Sequence, residues 1–174
     1  MLFCSCLVPL LLWVSLAAAA ASNRTIDDQN GDSISGTVPI YAPSSSWKQG
    51  ATCDGCFIQL NTADVHDGTW HDATHSPNDA QDLTITATFT GTAVYVFNVL
   101  ANTVQYTTTF TTLTFTLDGT EVGDFTHNPS TSTDFQYGVL TFSKTGLANE
   151  PHTLVITSGG DASSLVLFDY MVYT

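Results

Sequence analysis

The stretch "DLTITATFT", residues 82–90, sets Leu83, Ile85, Ala87 and Phe89 on one side of an extended chain and four threonines on the other. A period of two, kept over this length, belongs to a β-strand with one buried and one solvated face. The same alternation returns in "TTLTFTLDG", where Leu113, Phe115 and Leu117 oppose Thr112, Thr114 and Thr116. Threonine suits these positions because its branched Cβ fits the pleated backbone and its hydroxyl tolerates water. Further strands are predicted over residues 37–41, 93–100, 121–126, 137–143, 152–157 and 165–173, separated by Gly91, Asp118-Gly119, Asn128-Pro129, Gly146, Asn149-Glu150-Pro151 and Gly159-Gly160. "AVYVFNVL" and "LVLFDYMVY" are apolar on both faces, as strands in the middle of a sandwich or under a covering loop should be. With no amphipathic helix, the pattern predicts an all-β, antiparallel, eight-stranded sandwich of jelly-roll type.

The ends of the chain bound its compartment. "MLFCSCLVPLLLWVSLAAAA" has an apolar core and an alanine run with a cleavage pattern, although Lys and Arg are missing from its start. Residues 1–21 are therefore expected to be a secretory signal peptide, cleaved before Ser22 to give a secreted, extracellular protein. Residues 22–36 are polar and carry the sequon Asn23-Arg24-Thr25, so they are expected to form a flexible arm glycosylated at Asn23; residues 37–174 would be the sandwich. Sixteen acidic against three basic residues give a formal charge of −13, a surface that repels nucleic-acid backbones and anionic headgroups and leaves neutral partners and cations. Cys53 and Cys56 lie in "ATCDGCF", where a redox pair would need a helix N-terminus. In an oxidising compartment they are expected to form a disulfide closing a short turn.

Five stretches, taken together, resemble a known family: "FTGTAVYVF" (89–97), "FTLDG" (115–119), "FSKTGLANEPHTLVI" (142–156), "SLVLFDYMVY" (164–173) and, upstream, "HDGTWHDATH" (66–75), with "CDGC" similar to the family's cysteine pair. They are similar to the galactose-binding-like jelly-roll ectodomains of secreted and single-pass cell-surface proteins of basidiomycete fungi. The resemblance covers residues 37–174 and implies an eight-stranded sandwich. Related jelly rolls often serve as carbohydrate-binding modules, an analogy of fold. Many members continue into a Ser/Thr-rich linker and a membrane helix, an anchoring that is not carried over to a chain written only to Thr174.

Chemistry concentrates in "HDGTWHDATHSPND", residues 66–79. His66, His71 and His75 with Asp67 and Asp72 are residue types that ligate divalent ions, but Gly68 and Pro77 predict a loop, where the spacing of His71 and His75 promises no zinc site. No cofactor is expected, and calcium is the cation that aspartates and loop carbonyls would take. No nucleophile elbow, zinc-protease motif or phosphate loop is present, so the chain is read as non-enzymatic. Trp70 has two readings: an open indole on which a sugar ring stacks, with Asp67, His71 and Asp72 beside it, or a plug at the end of the core whose N–H finds a buried acceptor. Trp47 is a second candidate for exposure, and Tyr41, Tyr106 and Tyr137 are further aromatic candidates, Tyr106 at a loop or strand edge. Asp169 interrupts an apolar strand and must be paired if buried; it is expected to accept from residues 66–72 and lock that loop to the last strand. The reading favoured is a module that binds a glycan or cell-wall polysaccharide at the fungal cell surface or wall, and the alternative is a structural or adhesive domain with no small ligand.

Overall fold

The computed structural model describes residues 22–174; residues 1–21, where a signal peptide is expected, lie outside them. Ten strands follow in order: β1 (Arg24–Asp27), β2 (Gly31–Asp32), β3 (Ile40–Ala42), β4 (Lys48–Gln49), β5 (His71–His75), β6 (Leu83–Leu100), β7 (Thr111–Leu117), β8 (Thr120–His127), β9 (Gln136–Ser158) and β10 (Ser164–Tyr173). All their pairings are antiparallel. The fold is the expected all-β jelly-roll sandwich, but with ten strands among the described residues where eight were expected: four predicted strands merge into two, while β1, β2, β4 and β5, too short to show a period, are added, β1 and β5 on the distant β10.

Two strands are longer than their turn residues suggested. Residues 83–90 and 93–100 are one strand, β6, and residues 137–143 and 152–157 belong to one strand, β9. The first half of β6 pairs with β3 and with the end of β9, which continues to β7 and β8; its second half pairs with β10 and with the start of β9. At the corner the register jumps from Gly91 opposite Glu150 to Ala93 opposite Thr145, so the intervening residues of β9 are looped out rather than ending the strand. Gly91 is a glycine because a Cβ there would strike the Thr174 carbonyl. By contrast Asp118 (φ 51°) and Gly119 (φ 79°) form the tight hairpin turn between β7 and β8 that their sequence announced.

Leu83, Ile85, Ala87 and Phe89 of β6, Leu113, Phe115 and Leu117 of β7, Leu154 and Ile156 of β9, and Val166, Phe168 and Met171 of β10 share the main core. The other face of β10 holds a second cluster: Leu165 and Leu167 lie under Ile58, Leu60, Val65 and Trp70 of the long segment before β5. That covering segment explains why β10 is apolar on both sides.

The N-terminal segment corrects the expectation of a flexible arm. Residues Arg24–Asp27 pair with Tyr170–Tyr173 of β10, and Ile26, Asp27 and Asp28 are buried. An uncovered edge of β10 would present unpaired backbone groups, and β1 supplies their partners.

Candidate functional site

One edge of β10 is covered by two strands laid end to end. β5 pairs with Ser164–Phe168, starting with His71 opposite Phe168, while β1 ends with Asp27 opposite Tyr170. Between them sits Asp169, at a bulge where the register against β6 slips between Phe168 and Tyr170. The slip lets Phe168 and Met171 both face the main core, which turns Asp169 and Tyr170 away from it. The gap between β1 and β5 is where Asp27, Asp28, His66, Thr69, His71 and Asp169 converge.

The network is dense. Asp169 is 1% exposed, and its Oδ1 accepts from the His66 backbone N–H at 2.8 Å, the lock between loop and last strand that the sequence implied. The Asp28 N–H donates to the Asp169 carbonyl at 3.1 Å. Asp28 is itself fully buried; its Oδ1 accepts from Thr69 Oγ1 at 2.6 Å and its Oδ2 contacts His71 Nδ1 at 2.6 Å. The His71 ring stacks on Tyr41, whose hydroxyl donates to the Asp28 carbonyl at 2.7 Å. The His66 ring stacks on Tyr170. Burial pushes the Asp169 carboxyl up to about 6, the His66 N–H partly opposing the shift and the charges of Asp28 and Asp27 adding to it. Burial also raises Asp28, against the lowering effect of its bonds to His71 and Thr69. Tyr41 is raised by burial and then by the Asp28 and Asp27 charges.

Asp27 differs from Asp28. Its Oδ1 accepts from the N–H groups of Gln29 and Asn30 at 3.0 and 2.6 Å, but its buried Oδ2 has no hydrogen-bond partner among the described residues. Asp27, His66 and Asp67 each bring a ligating atom to within 4.8 Å of the others. Asp67 reaches this position from a turn in the left-handed region (φ 49°), which Asp tolerates better than most residues. Two carboxylates and one imidazole, one carboxylate oxygen being orphaned and buried, are a donor set able to hold a divalent cation.

The sequence-predicted residues are only partly brought together. His71 and Asp67 enter this gap. Asp72 lies on β5 opposite Lys48 and Leu167, and burial pushes its carboxyl up to about 6. Residues 71–75 are strand rather than the loop predicted for 66–79, because β10 offers them a partner. Trp70 is 1% exposed and Trp47 is 7% exposed, so neither indole presents a face to a sugar. Trp70 plugs the second core cluster over Leu165 and Leu167, lying so close to Gly50 that a Cβ there would strike its ring. The buried acceptor expected for its N–H is missing among the described residues: Nε1 is unpaired. Trp47 belongs to the main core and donates to the Ala42 carbonyl at 3.3 Å. Cys53 and Cys56 are disulfide-bonded.

Sequence reasoning missed Asp27 and Asp28. The one signal there is Ile26, a lone apolar residue in a polar run, too short to show a period. Asp28 and Asp169 are closed off from solvent, and their carboxylates act on neighbouring backbone and side chains. A surface concavity of about 280 Å³ lies elsewhere, lined by Asp32, Ile34, Phe89, Pro151 and Tyr173 among others.

No family model matches the sequence, and no curated protein does. Among solved structures, the chain is similar to a family 35 carbohydrate binding module from Clostridium thermocellum, with 11% identity, a TM-score of 0.53, and coverage of 88% of this chain and 99% of that one. It is also similar to the Agl-KA catalytic domain, with 9% identity and a TM-score of 0.53, over 89% of this chain but only 28% of that one. At such identities what is shared is the fold alone, an all-β sandwich.

Proposed function

We propose that this chain is a secreted, non-catalytic module that binds a glycan or cell-wall polysaccharide outside the cell. The observation that carries the reading is the extent of the likeness: the match covers 88% of this chain and 99% of a family 35 carbohydrate binding module, so the fold is matched as a unit and not as a fragment. The charge of −13 favours a neutral ligand over an anionic one. The Asp and His groups of the β1/β5 gap serve this reading as a frame: they fix residues 66–71 against β10, and calcium held by Asp27, His66 and Asp67 would tie that loop to β1.

A second reading, a structural or adhesive domain without a small ligand, is favoured by one observation, the burial of both Trp47 and Trp70. The two are separated by presenting the full chain, secreted from a eukaryotic host with its own leader, to a panel of fungal and plant polysaccharides with and without calcium. Retention on at least one polysaccharide, competed by its oligosaccharides, supports the module. Retention on none supports the structural domain.

A further inference from the structure

Resting on the carbohydrate-binding reading, we infer that the sugar is met by an aromatic pair, Phe57 and Tyr106, and not by either tryptophan. The two rings are 63% and 86% exposed, their centroids are 6.2 Å apart, and their planes are inclined at 50°. They come from segments far apart in sequence, so their adjacency is made by the fold.

Each ring is held out by its own backbone. Ile58 and Leu60 are anchored in the second core cluster, and the exposed residues that alternate with them are Phe57 and Gln59. The Cys53–Cys56 disulfide closes the turn just before Phe57, and Gln59 Nε2 donates to the carbonyls of Cys53 and Cys56 at 3.2 and 2.9 Å. The base of the Phe57 side chain is therefore set before any ligand arrives, which removes part of the ordering cost of binding. Tyr106 stands at φ 63°, in the left-handed region that bulky side chains rarely occupy. Its loop is tied down where Thr103 N donates to Ser132 O at 2.8 Å and Thr103 Oγ1 to Ser130 O at 3.0 Å. A strained backbone that drives a large ring into solvent stabilises nothing in the free protein, and such positions cluster where a ligand is clamped.

Chemistry and size choose the occupant. Exposed rings take the apolar C–H face of a pyranose, and an inclined pair offers one face to stack on and a second to close the side. An anionic ligand is disfavoured by the charge balance: the chain has three basic side chains, Arg24, Lys48 and Lys144, against sixteen acidic ones. Two rings offer at most about 300–500 Å², below the roughly 800 Å² per partner of a stable protein interface. The pair fits one or two sugar units of a neutral polysaccharide.

The test uses the full secreted chain and the polysaccharide panel above, with Phe57→Ala, Tyr106→Ala, the double variant, and Ile40→Ala as a control at an exposed apolar residue (67%) on β3. Each ring variant is expected to weaken binding about tenfold and the double variant to abolish it, with unchanged melting temperatures and with Ile40→Ala binding as wild type. Wild-type binding that survives the double variant overturns this inference and leaves the carbohydrate-binding reading in place. Failure of the wild type to bind any polysaccharide overturns the reading itself, and the inference with it.

Discussion

Replacing Asp169 by asparagine should stabilise the protein at neutral pH when cations are chelated. Burial disfavours the charge of this carboxyl and pushes it up to about 6 from an ordinary 3.8. A raised folded-state value means that this group favours the fold most below 3.8. The contribution falls as pH climbs from 3.8 through 6 and is level above that. The difference of about two pH units corresponds to about 3 kcal/mol of destabilisation at pH 7.5, shrinking to about 1 kcal/mol at pH 4.5. Asparagine keeps an oxygen to accept the His66 N–H and removes the charge, so the variant should gain those amounts over wild type. For a chain of this length the neutral-pH gain is on the order of 10 °C in melting temperature. Thermal unfolding followed by circular dichroism in chelator, at pH 4.5 and 7.5, reads the result. A variant less stable than wild type at pH 7.5, or a gap that fails to narrow towards pH 4.5, would refute the reasoning.

Trp70→Ala should act on stability, lowering the unfolding free energy by about 3–5 kcal/mol in urea titration; an unchanged midpoint would mean the indole is not the plug of the second core. The double change Cys53→Ser, Cys56→Ser should cost about 2 kcal/mol or less, since the closed loop is short, yet weaken polysaccharide retention by loosening Phe57; the two effects are separated by measuring binding well below the melting temperature. His152, whose Nδ1 lies 2.7 Å from Asp118 Oδ2, is raised first by that partner, so its stabilising effect is complete below the ordinary histidine value and is lost as pH rises through the higher folded one. Asp118→Asn should move the His152 imidazole resonances to a lower titration midpoint, and an unmoved midpoint would discard the pairing.

The sandwich was legible because its signal repeats: each Thr-apolar rung of β6 and β7 says the same thing about the same face. Asp118-Gly119 was legible for a similar reason, since one dipeptide suffices for a tight hairpin turn. Asp169 was legible as an anomaly, a charge in an apolar strand that must be paired if buried, and its partner, the His66 backbone N–H, lies in the loop expected for it. What the sequence hid depends on partners distant in the chain. β1 is too short to carry a period and exists because β10 has an edge to cover. Gly91 reads as a turn but is small to make room for Thr174. Phe57 and Tyr106 each look like an ordinary loop aromatic, and only the fold sets them side by side. Trp70 carried two readings, a sugar platform and a core plug, and the burial of the ring decides for the plug, while its neighbour His71 bonds to Asp28, next to a strand the sequence did not reveal.

The covering segment links the β1/β5 gap to the Phe57 and Tyr106 pair. Ile58 and Leu60, next to Phe57, and Val65 and Trp70, flanking His66 and Asp67, all rest in the cluster over Leu165 and Leu167. A change that frees residues 66–69 from the β1/β5 gap would loosen the footing of Phe57 without touching its ring. Calcium is therefore expected to act on sugar binding at a distance. At a hundred times its dissociation constant it would stabilise the fold by about 3 kcal/mol, and its removal should weaken retention while leaving some of it, because the rings and the disulfide stay in place. Asp67→Asn should reproduce the chelated state in the presence of calcium. Affinity indifferent to both calcium and Asp67→Asn would show that the buried carboxylates frame the strand edge alone, and that Phe57 is held by the disulfide turn without their help.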